Sequence, residues 1–177
     1  MYDALVLAGG EARRLGGRDK VALVVGGVPL LDRVLAACAS AQQTVVVGPH
    51  RSTSRPVTWC REDPPGGGPV PALRAGLAHV TAERVAVLAA DLPFLTPDVV
   101  EQLVDRAPAV LSDGQREQWL CGAWDTALLR AAADDAGPRL GELLARLRPT
   151  VMTWPGPAAP WTDCDTEEEL ADARRRA

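Results

Sequence analysis

Apolar and polar positions alternate along this chain in two rhythms. The stretches DALVLA (Asp3–Ala8), TVVVG (Thr44–Gly48) and RVAVLAA (Arg84–Ala90) are short, almost unbroken apolar runs. Runs of that length without polar alternation fit strands buried on both faces of a sheet. VTWC (Val57–Cys60), AVLSD (Ala109–Asp113), QWLCGAWD (Gln118–Asp125) and TVMTW (Thr150–Trp154) read as further strands. Between them the spacing changes to that of a helix face. In PLLDRVLAACAS (Pro29–Ser40), Leu30, Leu31, Val34, Leu35 and Cys38 recur at helical intervals, with Pro29 tolerated in the first turn. VPALRAGLAHV (Val70–Val80), TALLRAAADDA (Thr126–Ala136) and RLGELLARLR (Arg139–Arg148) are predicted helices as well. Thr96, Pro97 and Asp98 form a helix start, as N-cap, first helical residue and first-turn acid. TEEELADARRRA (Thr166–Ala177) is a closing helix, with acids in its first turn and arginines in its last.

Strands that alternate with helices predict an α/β fold. Its form is a three-layer α/β/α sandwich around a mostly parallel, doubly wound, Rossmann-like sheet. A length of 177 residues suits a single domain spanning 1–177. Such a chain buries about 70% of its unfolded surface and needs no disulfide or metal to fold. WPGPAAPW (Trp154–Trp161) is proline-rich but too short to separate domains. The formal net charge of -4 argues against a general nucleic-acid binder. There is no apolar run of about 18 residues, the length a membrane span needs. Asp3 interrupts any basic signal-peptide start, and Cys38, Cys60, Cys121 and Cys164 are scattered without a CxxC. A cytoplasmic protein with free thiols is the expectation, away from membranes and nucleic acid.

The segment LAGGEARRLGGRDK (Leu7–Lys20) interrupts this regular pattern. It follows the first strand and collects four glycines, three arginines and a lysine in an otherwise acidic chain. Ligands of doubly wound sheets sit at the carboxyl ends of the strands, where this loop lies. Glycines let backbone N–H groups approach an anion and form a concave nest. Arg13, Arg14, Arg18 and Lys20 add full charge, with arginine suited to bidentate phosphate contact. The combination predicts a triphosphate cradle. It is neither a Walker A loop, since Gly17 precedes Arg-Asp-Lys, nor a GxGxxG dinucleotide fingerprint.

LAGGxxxRxGxxDK after a first strand resembles the signature of nucleotidyltransferases similar to molybdenum cofactor guanylyltransferase, with Leu15 where the family often has Met. The resemblance continues through VVGGVPLLDRV, REDPPGGGPVPALRAGL, LAADLPFLTPDVVEQL and DCDTEEEL, in the family's order. It implies a fold of the nucleotide-diphospho-sugar transferase type. The implied reaction is transfer of GMP from GTP to molybdopterin-bound molybdenum cofactor, with release of pyrophosphate. Leu7, Ala8, Gly9, Gly10, Lys20, Gly48, Asp63 and Asp91 are the expected nucleotide-binding residues, and Arg14, Lys20 and Asp91 the catalytic ones. The resemblance makes Asp63 a nucleotide contact near base or ribose. A carboxylate there can accept from N1–H and N2–H of guanine. Two departures leave the base open: Ala72 replaces a glycine of the family's GPLxGL, and Gly48 stands where guanylyltransferases tend to carry Asn.

Asp91 directly follows the Arg84–Ala90 run and points a carboxylate toward the same crevice. Mg²⁺ typically takes one or two carboxylates plus phosphate oxygens, so Asp91 is the predicted metal ligand. Asp163 and Asp165 alternate on an extended segment and so face one way. Asp165 is the expected second ligand, with Asp163 left open and an N-cap role for Asp165 or Thr166 as the competing reading. His50 and His79 are isolated. Trp119, Trp124, Trp154 and Trp161 either stack on an acceptor pterin or pack in core and rim. Rival readings are a nucleotidyltransferase that uses CTP or another small phosphate acceptor, and a non-catalytic nucleotide- or cofactor-binding partner protein.

Overall fold

A computed structural model describes residues 1–9, 19–135, 139–156 and 158–177. Nine strands and six α-helices are present among them: β1 (Asp3–Leu7), β2 (Val24–Val25), β3 (Val28–Pro29), α1 (Leu30–Ala37), β4 (Thr44–Val47), β5 (Thr58–Cys60), α2 (Pro69–Leu77), β6 (Arg84–Ala89), α3 (Pro97–Asp105), β7 (Ala109–Ser112), β8 (Glu117–Asp125), α4 (Thr126–Asp134), α5 (Leu140–Ala145), β9 (Thr150–Met152) and α6 (Glu167–Arg176). Seven strands form one sheet in the order β5-β4-β1-β6-β8-β7-β9. All its neighbouring pairs are parallel except β6–β8 and β7–β8, so β8 alone runs against the rest.

The unbroken apolar runs are explained by the layers. Along β1, Ala4 and Val6 join a cluster with Leu31, Leu35, Val99 and Leu103, on the side of α1 and α3. Leu5 and Leu7 join the opposite cluster with Leu73, Leu77, Leu129 and Leu143, on the side of α2, α4 and α5. Both alternating sets are therefore apolar, and the period of two disappears from the sequence. Each fully buried leucine contributes about 2 kcal/mol through area removed from water. Gly76 explains how α2 approaches so closely, because a Cβ there would stand 2.2 Å from Leu5 Cδ1 and 2.8 Å from Val47 Cγ2.

A third, small cluster of Val25, Leu30, Cys164, Leu170 and Ala173 joins the β2–β3 hairpin to α6. The hairpin has no counterpart in the expected elements. Gly26 and Gly27 turn it at φ +57° and +79°, the left-handed region that favours glycine. It also shifts the start of α1. Pro29 pairs with Val24 and is the N-cap, so the first helical turn begins at Leu30. Thr96 occupies the N-cap of α3 as expected, but its side chain makes no capping bond. Elements at the ends are shorter than their apolar spacing suggests: β9 stops at Met152 and α5 at Ala145.

Candidate functional site

Because β1, β4, β5 and β6 run in parallel, their carboxyl ends open on one edge of the sheet. A cleft of about 960 Å³ lies along that edge. Its floor includes Leu7 at the end of β1, Ala8 and Gly9 just after it, Gly48 after β4, Glu62 after β5 and Asp91 after β6. The strand ends are locked together beneath it, with the Ala8 N–H bonded to the Val47 carbonyl at 2.8 Å and the Ala90 N–H to the Leu7 carbonyl at 3.1 Å.

Gly48 sits at φ +153°, and a Cβ on it would come within 2.9 Å of the Ala8 carbonyl carbon and oxygen. The close approach of β4's end to the turn after β1 therefore leaves no room for any side chain at this position. Ala72, by contrast, is an ordinary buried wall residue of the cleft near the start of α2.

Charge concentrates where β1 and β6 end. Lys20 lies in the short 3-10 turn Lys20–Ala22, and its ammonium contacts both Asp91 Oδ2 and Asp165 Oδ1. The Lys20 and Asp91 side chains are only 15% and 13% exposed, whereas Asp165 is 49% exposed. Burial works against the ammonium, but the Asp91 charge and the hydrogen bonds to Asp165 and Asp91 outweigh it and hold Lys20 above the usual lysine value. Asp165 is free for this contact because Thr166 caps α6. The Thr166 hydroxyl accepts from Glu169 N at 3.2 Å, and the Glu169 carboxylate accepts from Thr166 N at 2.8 Å, a complete capping box. Asp163 is exposed and lies outside the cleft lining.

Two carboxylates already share one ammonium here, which is the hard-oxygen donor pair that a small divalent cation takes along with phosphate oxygens. Among the described residues no three His, Cys, Asp or Glu side chains form a preformed metal cage. The donor set suits a cation that arrives with its phosphates.

Of the residues expected to bind nucleotide, Leu7, Ala8, Gly9, Lys20, Gly48 and Asp91 all line this one cleft, as does Asp165. Gly10, Arg13, Arg14 and Arg18 lie outside the described residues. Asp63 is exposed and absent from the cleft lining, while its neighbour Glu62 is half-buried and present in it. The tryptophans of the C-terminal half do not reach the cleft. Trp124 is wholly buried in the core, and Trp119, Trp154 and Trp161 pack against the two main clusters. Their apolar surfaces serve packing, the second of the two readings.

Sequence reasoning missed Arg51. Its guanidinium makes two bonds to Asp19, of 2.7 and 2.8 Å, and one to the Pro49 carbonyl at 3.0 Å. This bidentate pair ties the residue just before Lys20 to the segment after β4, and Arg51 itself lines the cleft. No local signal links two residues so far apart in sequence.

Residues 4–150 match the MobA-like NTP transferase domain. The chain belongs to this family. A molybdenum cofactor guanylyltransferase of Bradyrhizobium sp. (strain ORS 278) is 34% identical, covering 98% of this chain and 92% of its own. One from Rhodobacter capsulatus is 32% identical, covering 97% and 94%. Among solved structures, a nucleotidyl transferase from Methanothermobacter thermautotroptrophicus superposes with a TM-score of 0.80 at 17% identity, over 99% of this chain and 97% of that one. At 17% identity that likeness is one of fold alone.

Proposed function

We propose that this chain transfers GMP from GTP to the molybdenum cofactor, forming the guanine dinucleotide and releasing pyrophosphate. Family membership and the names of its full-length relatives support the reaction class and the acceptor. The observation that carries the reading is the meeting of Lys20, Asp91 and Asp165 at one end of a cleft floored by Leu7–Gly9.

In this reading a phosphate oxygen of the acceptor attacks the α-phosphorus of GTP in line. The new P–O bond forms as the bond to the β-phosphate's bridging oxygen breaks, and pyrophosphate departs. The acceptor phosphate is already largely ionised at neutral pH, with its second pKa near about 6, so no strong base is required. The protein's work is to position the groups and to stabilise charge. Lys20, Arg14 and the backbone amides of Ala8 to Gly10 hold the triphosphate and neutralise the leaving group. Asp91 and Asp165 hold Mg²⁺, which supplies electrostatic stabilisation of the phosphoryl oxygens when bound. The same reading takes residues 1–177 as one nucleotidyltransferase domain acting in the cytoplasm. None of the described helices is long and apolar enough to cross a membrane.

The test is a thermal-shift screen of GTP, ATP, CTP and UTP with and without Mg²⁺, followed by pyrophosphate release with molybdopterin as acceptor. GTP with Mg²⁺ is expected to raise the melting temperature most and to turn over. Tight binding without pyrophosphate release would indicate a non-catalytic carrier, and a CTP preference would replace the assigned base.

A further inference from the structure

Asp19 and Lys20 are chain neighbours whose side chains part in opposite directions. Asp19 has extended backbone, φ -67° and ψ 99°, where successive side chains point apart. Its carboxylate makes no capping bond to the turn Lys20–Ala22 that follows it. It goes instead to Arg51 beyond β4, while the Lys20 ammonium goes to Asp91 beyond β6. In the sheet β1 lies between β4 and β6, whose ends stand two strand spacings apart, about 10 Å. The two residues therefore span the carboxyl end of β1, each tied to a different neighbouring strand.

The tie on the β4 side is rigid. Arg51 donates to Asp19 through Nε and Nη2 and to the Pro49 carbonyl through Nη1, so three of its N–H groups are engaged within the fold. A two-pronged contact of this kind fixes direction as well as distance. The segment that carries Arg51 is itself held, because the Gly48 N–H donates to the Cys60 carbonyl at 2.9 Å and Gly48 lies against Ala8. On the other side of Lys20, Val21 is buried in the cluster with Leu31 and Val34. Lys20 is thus bracketed, with Asp19 tied to the loop after β4 and Val21 sunk in the core. Arg61 also lines the cleft, but it is exposed and makes no ion pair with the described residues, so it takes no part in the tie. A lysine stem loses much rotational freedom when its ammonium is engaged, and a fixed backbone narrows the space it must search.

We infer that Arg51 is a positioning residue for Lys20: by its fork on Asp19 it holds the Lys20 backbone across the end of β1, so that the ammonium is presented to a polyphosphate seated there. The inference rests on the nucleotide reading given above. Arg51 acts through Asp19 and the main chain rather than by its own charge.

The experiment is calorimetric titration of the full chain with GTP and with guanosine in the presence of Mg²⁺, for wild type, R51A, D19A, K20A and the double variant R51A/K20A. R51A and D19A are each expected to lose about tenfold in GTP affinity, within the range of coupling between residues of one network, with guanosine affinity held. Once Lys20 is gone, R51A should cost less than about a further twofold. The sign of the D19A effect separates two roles for the pair. If Asp19 merely screened Arg51, removing its negative charge would tighten triphosphate binding. Tighter or unchanged GTP binding by D19A therefore overturns the assignment. So does an R51A loss of the same factor with and without Lys20, which would mark Arg51 as a phosphate ligand in its own right. A parallel loss of guanosine affinity also overturns it, since that would mark a collapse of the cleft wall. R51K keeps the charge without the fork and should stay close to R51A, and full recovery by R51K overturns the assignment. D19A alters the exposed partner, whose side chain caps nothing, so it carries the test whatever R51A does to folding. If the wild type binds no triphosphate at all, the function proposed above falls together with this inference. GTP binding that depends on Lys20 but not on Asp19 or Arg51 removes this inference alone.

Discussion

Two aspartates at opposite ends of the central strands are held in contrasting ways. Asp3 opens β1 and is completely buried. Its Oδ2 accepts from Thr81 N at 2.6 Å, Ala82 N at 3.0 Å, Gln43 Nε2 at 2.9 Å and the Thr81 hydroxyl at 3.2 Å. Burial pushes its carboxyl upward, but the donors from Ala82, Thr81 and Gln43 prevail and hold it below the ordinary carboxylate value. Asp91 follows β6 at the other edge, and its ion-pair partner among the described residues is the side chain of Lys20. One carboxylate is bound by fixed backbone donors of its own fold. The other is matched by a cation on a long, rotatable side chain. The first arrangement stabilises a structure; the second can be exchanged for a ligand.

Removing each carboxylate should separate the two roles. Asp91→Ala should lower the rate of pyrophosphate release by about 10³-fold or more, the scale of losing a preorganised charge contact, while its melting temperature stays close to wild type. Turnover retained with added Mg²⁺ would erase the distinction. Asp3→Ala should do the reverse, costing about 3 kcal/mol because buried N–H groups lose their acceptor, roughly 10 °C in melting temperature for a chain of this size. Turnover per folded molecule should hold. The pH dependence has a defined sign. A carboxyl held below its unfolded value stabilises fully above that value, 3.8, and loses its contribution as pH falls through the folded value. Urea midpoints of wild type and Asp3→Ala should therefore converge in acid below about pH 4 and diverge above it.

Lys20→Ala should weaken GTP binding by about 10- to 30-fold and guanosine binding little, since a point charge acts on phosphates rather than on the nucleoside. Equal loss for both by calorimetry would remove Lys20 from the cradle. The smallest effect is expected from Thr166→Ala, which deletes half of a capping box for about 1 kcal/mol. Because that cap leaves Asp165 free to face Lys20, the variant should also show a modest rise in KM for the metal-bound nucleotide. A pure stability loss would mean that the cap and the cleft are independent.

Strands buried on both faces were legible, because β1, β4 and β6 are apolar at every position that matters to either layer. The placing of Ala8 and Gly9 after β1 and of the carboxylate after β6 was legible because each follows such a strand directly. What could not be read depends on contacts between segments distant in sequence. Nothing near Gln118–Asp125 announces that β8 runs backwards, since burial on both faces looks the same in either direction. The hairpin at Gly26–Gly27 was too short to show a period, although the paired glycines were its signal. Asp63 and Glu62 are adjacent acids, and only the path of the loop decides which one enters the cleft. Between Asp165 and Thr166 the hydroxyl took the cap and the carboxylate took the lysine, a competition that side-chain preferences leave even.

The reversed strand has a consequence for the far rim of the cleft. With β8 antiparallel and β7 running with the majority, the turn Asp113–Arg116 between them projects from the same edge as Gly9 and Asp91. Leu120, near the start of β8, already borders the cleft. Gly114 in that turn, at φ +91°, has open space on the side where a Cβ would be. A longer tip here would refit one wall of the cleft while both hydrophobic layers and the Lys20–Asp91 end stay as they are.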